Sequence, residues 1–142
     1  MKFIGIIPAR YASTRFPGKP LAMLGSKPVI QRVYEQVKGC FDELYVATDD
    51  ERIKDAVLSF GGNVVMTSES CNNGTERCLD AYERLGCECD VIVNIQGDEP
   101  FIQQKQIKAL IECFDNTETD IATLVKPFEP AFAYSMYTRA IE

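Results

Sequence analysis

The 142-residue chain has no histidine. That absence removes histidine general bases, Ser-His triads and His-ligated zinc from consideration. Cysteine is present but unorganised: Cys40, Cys71, Cys78, Cys87, Cys89 and Cys113 form no C-x-x-C pair. Several fall at apolar positions of helical patterns, where a thiol behaves as a small hydrophobe. A disulfide framework needs a secretory context, and the apolar start at residues 1–7 is too short for a signal sequence. No apolar run approaches a transmembrane span. Positive charge is in short supply, with 15 Lys and Arg against 21 Asp and Glu and a formal charge of −6. Such a chain is repelled by nucleic-acid backbones. Internal repeats, low-complexity tracts and linkers are also missing. The expectation is a reduced, soluble, cytoplasmic protein with neither nucleic acid nor membrane as partner.

What is there is the material of one domain spanning 1–142, with 46% hydrophobic and 25% charged residues and enough length to bury a core. Lys2 to Ile7 reads as a buried strand. Ile30, Val33, Tyr34 and Val37 recur at helical spacing and predict a helix over Lys27–Cys40. Glu43 to Thr48 predicts a second strand, and Asp49 or Asp50 caps a helix with Ile53, Ala56, Val57 and Phe60 on its core stripe. Asn63 to Met66 follows as a short strand after Gly61-Gly62. From Gly74 a helix carries Cys78, Leu79, Tyr82 and Leu85 on one face, and Asp90 to Ile95 is strongly β-prone. Ile107, Leu110, Ile111 and Phe114 mark another helix, and Asp120 to Val125 a further strand. Phe128 to Pro130 reads as a turn, with Ala131 to Ile141 helical. Alternation of this kind predicts an α/β fold with a doubly wound, mostly parallel sheet.

In such a sheet the loops at the carboxyl ends of the strands share one edge, where ligands bind. Four loops qualify: 8–20, 48–50, 67–77 and 96–100. The first offers Arg10, Arg15 and Lys19 with the hydroxyls of Ser13 and Thr14, the donor set a polyphosphate needs. Pro8, Pro17 and Pro20 stiffen it, and Gly18 allows close backbone approach. The phosphate loop of NTPases is excluded, because Gly18-Lys19 is followed by Pro20 where that motif needs Ser or Thr. The plainer reading is a surface loop with solvated charge. Gln96-Gly97-Asp98-Glu99-Pro100 sets Asp98 at the end of a strand, as a Mg²⁺ ligand or simply as part of a tight turn. Asn73-Gly74-Thr75-Glu76-Arg77 opens a helix whose amides can receive an anion, or is only a capped start. Thr48-Asp49-Asp50 reads first as a helix cap.

Four blocks together carry a resemblance: Pro8 through Leu21, Val46 to Asp50, Asn73 to Arg77, and Asn94 to Pro100. In this order and spacing the chain resembles the 3-deoxy-manno-octulosonate cytidylyltransferases, the CMP-Kdo synthetases of Gram-negative lipopolysaccharide synthesis. Sialic-acid cytidylyltransferases share Pro-Ala-Arg but usually continue with Gly-Gly-Ser-Lys in place of Tyr11-Ala12-Ser13-Thr14-Arg15. Spore-coat-type nucleotidyltransferases lack the Gln96–Pro100 block. The chain has Asn73 where the family commonly has Ser. Members are also much longer, with further sugar-binding residues, another metal-binding Asp and dimer-forming elements in a second half.

The resemblance implies a Rossmann-like fold of the nucleotide-diphospho-sugar transferase type, incomplete at its C-terminal end. It implies the reaction of CTP with Kdo to give CMP-Kdo and pyrophosphate, with Mg²⁺ as cofactor and a homodimer at full length. Arg10 and Lys19, with Ser13 and Arg15, then hold the triphosphate, and Asp98 is the metal ligand. Arg77 with Gly74 and Thr75 meets the nucleotide, Ala9 reads the cytosine edge, and Gln96 meets the sugar. Two alternatives stay open: a non-catalytic CTP-binding fragment, and a cytidylyltransferase for another sugar acid.

Overall fold

The computed structural model describes residues 1–125. The expected turn at Phe128–Pro130 and helix at Ala131–Ile141 lie outside them. The chain divides into two compact units, Met1–Gln104 and Lys105–Glu142.

In the first unit a fully parallel four-stranded sheet forms from β1 (Phe3–Pro8), β4 (Glu43–Thr48), β5 (Val64–Met66) and β6 (Val91–Asn94). Parallel strands are covered on both faces and read as continuous apolar runs. β1 does so, with Ile4, Ile6 and Ile7 wholly buried. Side chains alternate across the sheet. Ile4, Ile6 and Ala47 face α3 (Gly74–Leu85) and pack with Cys78 and Ala81. Burial pushes the Cys78 thiol up to about 12, which leaves it an inert core group. α1 (Val29–Val37) buries Val29, Ile30, Val33, Tyr34 and Val37, and α2 (Glu51–Ser59) buries Ile53 and Val57. Tyr34 meets the Phe60 ring edge-on at 5.4 Å, which joins these two helices.

The order along the sheet is β5-β4-β1-β6. The chain therefore moves outward from β1 to β4 and β5, then returns past β1 to lay down β6. That reversal places a topological switch point between β1 and β6, where open α/β sheets form their ligand crevice. The register runs Ile4 opposite Ile92 and Ile6 opposite Asn94, so both strands release their loops at the same edge.

Three local expectations are corrected. The helix expected from Lys27 begins at Val29, because Lys27–Pro28 is strand β3, paired antiparallel with β2 (Met23–Leu24). Pro28 stands at the N-cap with extended backbone, and the Arg32 guanidinium donates to the Leu24 carbonyl at 3.0 and 3.1 Å, tying hairpin to helix. Leu79 does not share the buried face of α3. It is 55% exposed, and the packed face runs through Arg77, Cys78 and Ala81 instead. α4 (Gln104–Glu112), all but its first residue in the second unit, and a 3₁₀ turn (Cys113–Asp115) form as the spacing implies. Asp120–Val125 forms no strand, and Ile121 is 88% exposed. A β-prone run needs a neighbour for its ladder, and this one pairs with none of the described strands.

Candidate active site at the sheet's switch point

A cleft of about 340 Å³ lies at the carboxyl ends of β1 and β6. Its walls include Ala9, Arg10, Ser13 and Lys19 from the first loop, Asn73, Gly74 and Arg77 from the start of α3, and Gln96 and Asp98 from the loop after β6. Arg15 and Thr75 are exposed and lie outside these walls. Residues 48–50 also stay outside the walls, although their strand ends at the same edge.

The loop after β1 begins with Ala9, whose amide donates to Ala47 O at 2.8 Å and prolongs the ladder by one bond. Ser13 Oγ accepts from the Arg15 and Phe16 amides at 3.3 and 3.4 Å, a hydroxyl-closed turn. Gly18 then takes the left-handed conformation, φ 71°, and its amide bonds Tyr11 O at 2.7 Å. A 3₁₀ turn, Lys19–Leu21, starts there and sets Lys19 on the cleft wall.

Across the cleft, Ile95 extends β6 by donating to Ile6 O at 2.9 Å. At Gly97 a side chain would bring its first carbon to 3.0 Å from Pro8 O, so glycine lets the two loops lie this close without a shift. Asp98 follows, with Oδ2 3.6 Å from Lys19 Nζ. The side chains remain 45% and 58% exposed. Such a contact is weak and water-screened, leaving both groups open to a ligand. Arg10, Lys19 and Asp98 thus share one cleft, while Gln96 is exposed beside them with its amide 3.4 Å from Asn94 Oδ1.

Arg77 differs. It is only 4% exposed. One terminal nitrogen donates to Thr67 Oγ1 at 2.7 Å and Ser68 O at 3.3 Å, and the other to Asp49 Oδ2 at 3.5 Å. A buried guanidinium needs such partners. Here they tie the first turn of α3 to the ends of β4 and β5. Asn73 Oδ1 caps the same helix by accepting from Glu76 N at 2.9 Å, and Glu76 reaches back to the Asn72 amide at 2.8 Å. Asp50, the other cap, accepts from the Arg52 and Ile53 amides. The Arg52 side chain holds its carboxyl below the usual carboxylate range, aided by those amides.

Sequence reasoning did not single out Phe16, Cys71 and Asn72, which also line the cleft, nor the burial of Arg77. Arg52 gave a signal: a cation in the first turn of a helix opposes the helix dipole and so calls for a local reason.

The conserved sequence pattern described as "Cytidylyltransferase" matches residues 4–134. The chain is 69% identical to the 3-deoxy-manno-octulosonate cytidylyltransferase of Phocaeicola vulgatus over 130 residues, which is 92% of this chain and 52% of that protein. It is 52% identical over 130 residues to the 8-amino-3,8-dideoxy-manno-octulosonate cytidylyltransferase of Shewanella frigidimarina, covering 87% of this chain and 53% of the relative. Among solved structures, CMP:2-keto-3-deoxy-manno-octonic acid synthetase complexed with CTP superposes with a TM-score of 0.77 at 42% identity, over 83% of this chain and 49% of that one. The chain thus spans about half the length of the relatives it matches. Its parallel sheet, its switch-point cleft and the match across residues 4–134 lead to one conclusion: the chain belongs to the cytidylyltransferase family.

Proposed function

We propose that this chain is the nucleotide-binding part of an enzyme that makes CMP-Kdo and pyrophosphate from CTP and Kdo, for lipopolysaccharide synthesis. The observation that carries the reading is the switch-point cleft, in which Lys19 and Asp98 stand 3.6 Å apart beside Arg10. In the reaction the anomeric hydroxyl of the sugar attacks the α-phosphorus of CTP. The new P–O bond forms as the bond to the β-phosphate oxygen breaks, and the hydroxyl proton is released. The protein's task is alignment and charge neutralisation.

Arg10 and Lys19 neutralise the phosphates. Ser13, its oxygen accepting within the loop, keeps its own proton to donate. Arg15, exposed and outside the cleft walls, adds a charge that draws the triphosphate in. Ala9, whose amide is committed to the sheet, offers its carbonyl to the cytosine edge. Gly74 and Thr75 present the start of α3, held by Arg77. Gln96 faces the sugar. An exposed lone carboxylate suits Mg²⁺, which keeps most of its waters and takes one or two carboxylates with phosphate oxygens; Asp98 would hold it. When bound, the metal supplies charge compensation on the phosphates. A cytoplasmic setting fits Cys71, Cys78, Cys87, Cys89 and Cys113, which are free thiols. Dimerisation belongs to the full-length protein.

A second reading has its own observation. The chain spans about half the length of the relatives it matches, and on this reading the residues present take up CTP without turning it over. Titration with CTP, together with pyrophosphate release in the presence of Kdo and Mg²⁺, separates the two. CTP uptake with pyrophosphate release supports the enzyme, uptake alone supports the binding fragment, and no uptake overturns both. Comparing Kdo, its 8-amino analogue and sialic acid as acceptors identifies the sugar.

A further inference from the structure

Tyr11 and Arg52 line none of the cleft, yet they brace its cationic wall. The Arg52 guanidinium lies 3.4 Å from the centroid of the Tyr11 ring, within stacking distance for a cation–π contact. Arg52 is itself fixed by a two-point grip on Asp50, Nε to Oδ1 at 3.1 Å and a terminal nitrogen to Oδ2 at 2.7 Å. Asp50 is in turn anchored as the cap of α2. The Tyr11 ring also lies against Gly18: a Cβ there would sit 2.7 Å from ring carbon Cε2. The Gly18 amide bonds Tyr11 O at 2.7 Å, and Lys19 follows directly. An unbroken line of contacts therefore runs from the first turn of α2 through Asp50, Arg52 and Tyr11 to the residue before Lys19.

We propose that Tyr11 and Arg52 form a clasp that holds the loop 9–20 against α2 and thereby fixes the position of Lys19. Both are positioning residues, and the inference rests on the nucleotide-binding reading only for its effect on CTP. A cation in the first turn of a helix is otherwise unfavourable. The clasp gives Arg52 its reason to be there.

The test uses the full-length polypeptide that carries these residues. Two readouts are followed: the rate of trypsin cleavage between Arg15 and Phe16 in the folded state, which reports loop opening, and CTP affinity by titration. Arg52→Met and Tyr11→Leu should each speed that cleavage and weaken CTP binding, both by about threefold to tenfold. Tyr11→Phe keeps the ring and should match the wild type. The double variant should be no worse than either single one, because both break the same contact. Wild-type cleavage in Arg52→Met and Tyr11→Leu, or fully additive effects, overturns the clasp. Should Arg52→Met fail to fold, the contrast between Tyr11→Leu and Tyr11→Phe decides. Loss of loop protection in a protein that binds no CTP upholds the clasp and removes the nucleotide reading. CTP binding that no clasp variant alters does the reverse.

Discussion

The floor and the rim of the cleft use the same residue types in opposite ways. On the floor, Arg77 is buried with its terminal nitrogens engaged by Thr67, Ser68 and Asp49. On the rim, Arg10 and Lys19 are exposed, and Lys19 has only a loose contact with Asp98. The carboxylates divide likewise. Asp80 accepts from the Ser68 amide at 2.7 Å and from Arg84 at 3.0 Å, and Asp50 closes the end of α2, whereas Asp98 faces water. A committed charge holds the scaffold, and an uncommitted one is available to a ligand. What separates them is the state of their hydrogen-bonding capacity.

The sharpest way to break this contrast is at Asp98. In the full-length protein Asp98→Ala should lower turnover by a hundredfold or more, the order seen when a transition-state contact is lost, roughly 10²–10³, while the melting temperature stays put. Wild-type-like turnover would remove Asp98 from the reaction. Arg77→Met should do the opposite. It strips the floor of a charged hydrogen-bonding hub, about 2–3 kcal/mol, which denaturant unfolding would show as a lower midpoint; an unchanged midpoint would make Arg77 a rim-type residue. Lys19→Ala should weaken CTP binding by about tenfold to a hundredfold, the equivalent of one charged hydrogen bond, with stability unaltered in the same unfolding assay.

The smallest effect is one of pH. The Ser68 amide, with Arg84, holds the Asp80 carboxyl below its usual range. A depressed carboxyl contributes stability that is fully present above its unfolded value, about 3.9, and is lost as pH falls through the lower folded value. Melting temperature should therefore be level through the neutral range and decline below about pH 4. Asp80→Asn should make that decline shallower; an identical profile would show that Asp80 carries none of it.

Much of this was legible because parallel strands announce themselves by runs such as Ile4 to Ile7, and amphipathic helices by spacings such as Ile30, Val33, Tyr34 and Val37. The four strand-end loops followed from topology, and three of them line the cleft. The start of α1 was misplaced because side-chain periodicity does not see the missing amide of Pro28 or the hairpin in front of it. Leu79 misled by its apolarity, although an exposed leucine on a helix is ordinary. Asp120–Val125 looked like a strand because propensity is local whereas a ladder is not. Arg77 could not be recognised as a strut, since its partners lie at positions 49, 67 and 68, on two other strand ends. The Tyr11–Arg52 stack spans 41 positions of sequence and no spacing rule reaches it.

The close approach of Gly97 to the Pro8 carbonyl is one of main chain to main chain. Two loops from adjacent strands abut there with little room for a side chain, so at this point the spacing of the cavity's two sides is set by backbone. An added carbon at position 97 would press on the Pro8 carbonyl at 3.0 Å, and one loop or the other would have to give by a few tenths of an ångström.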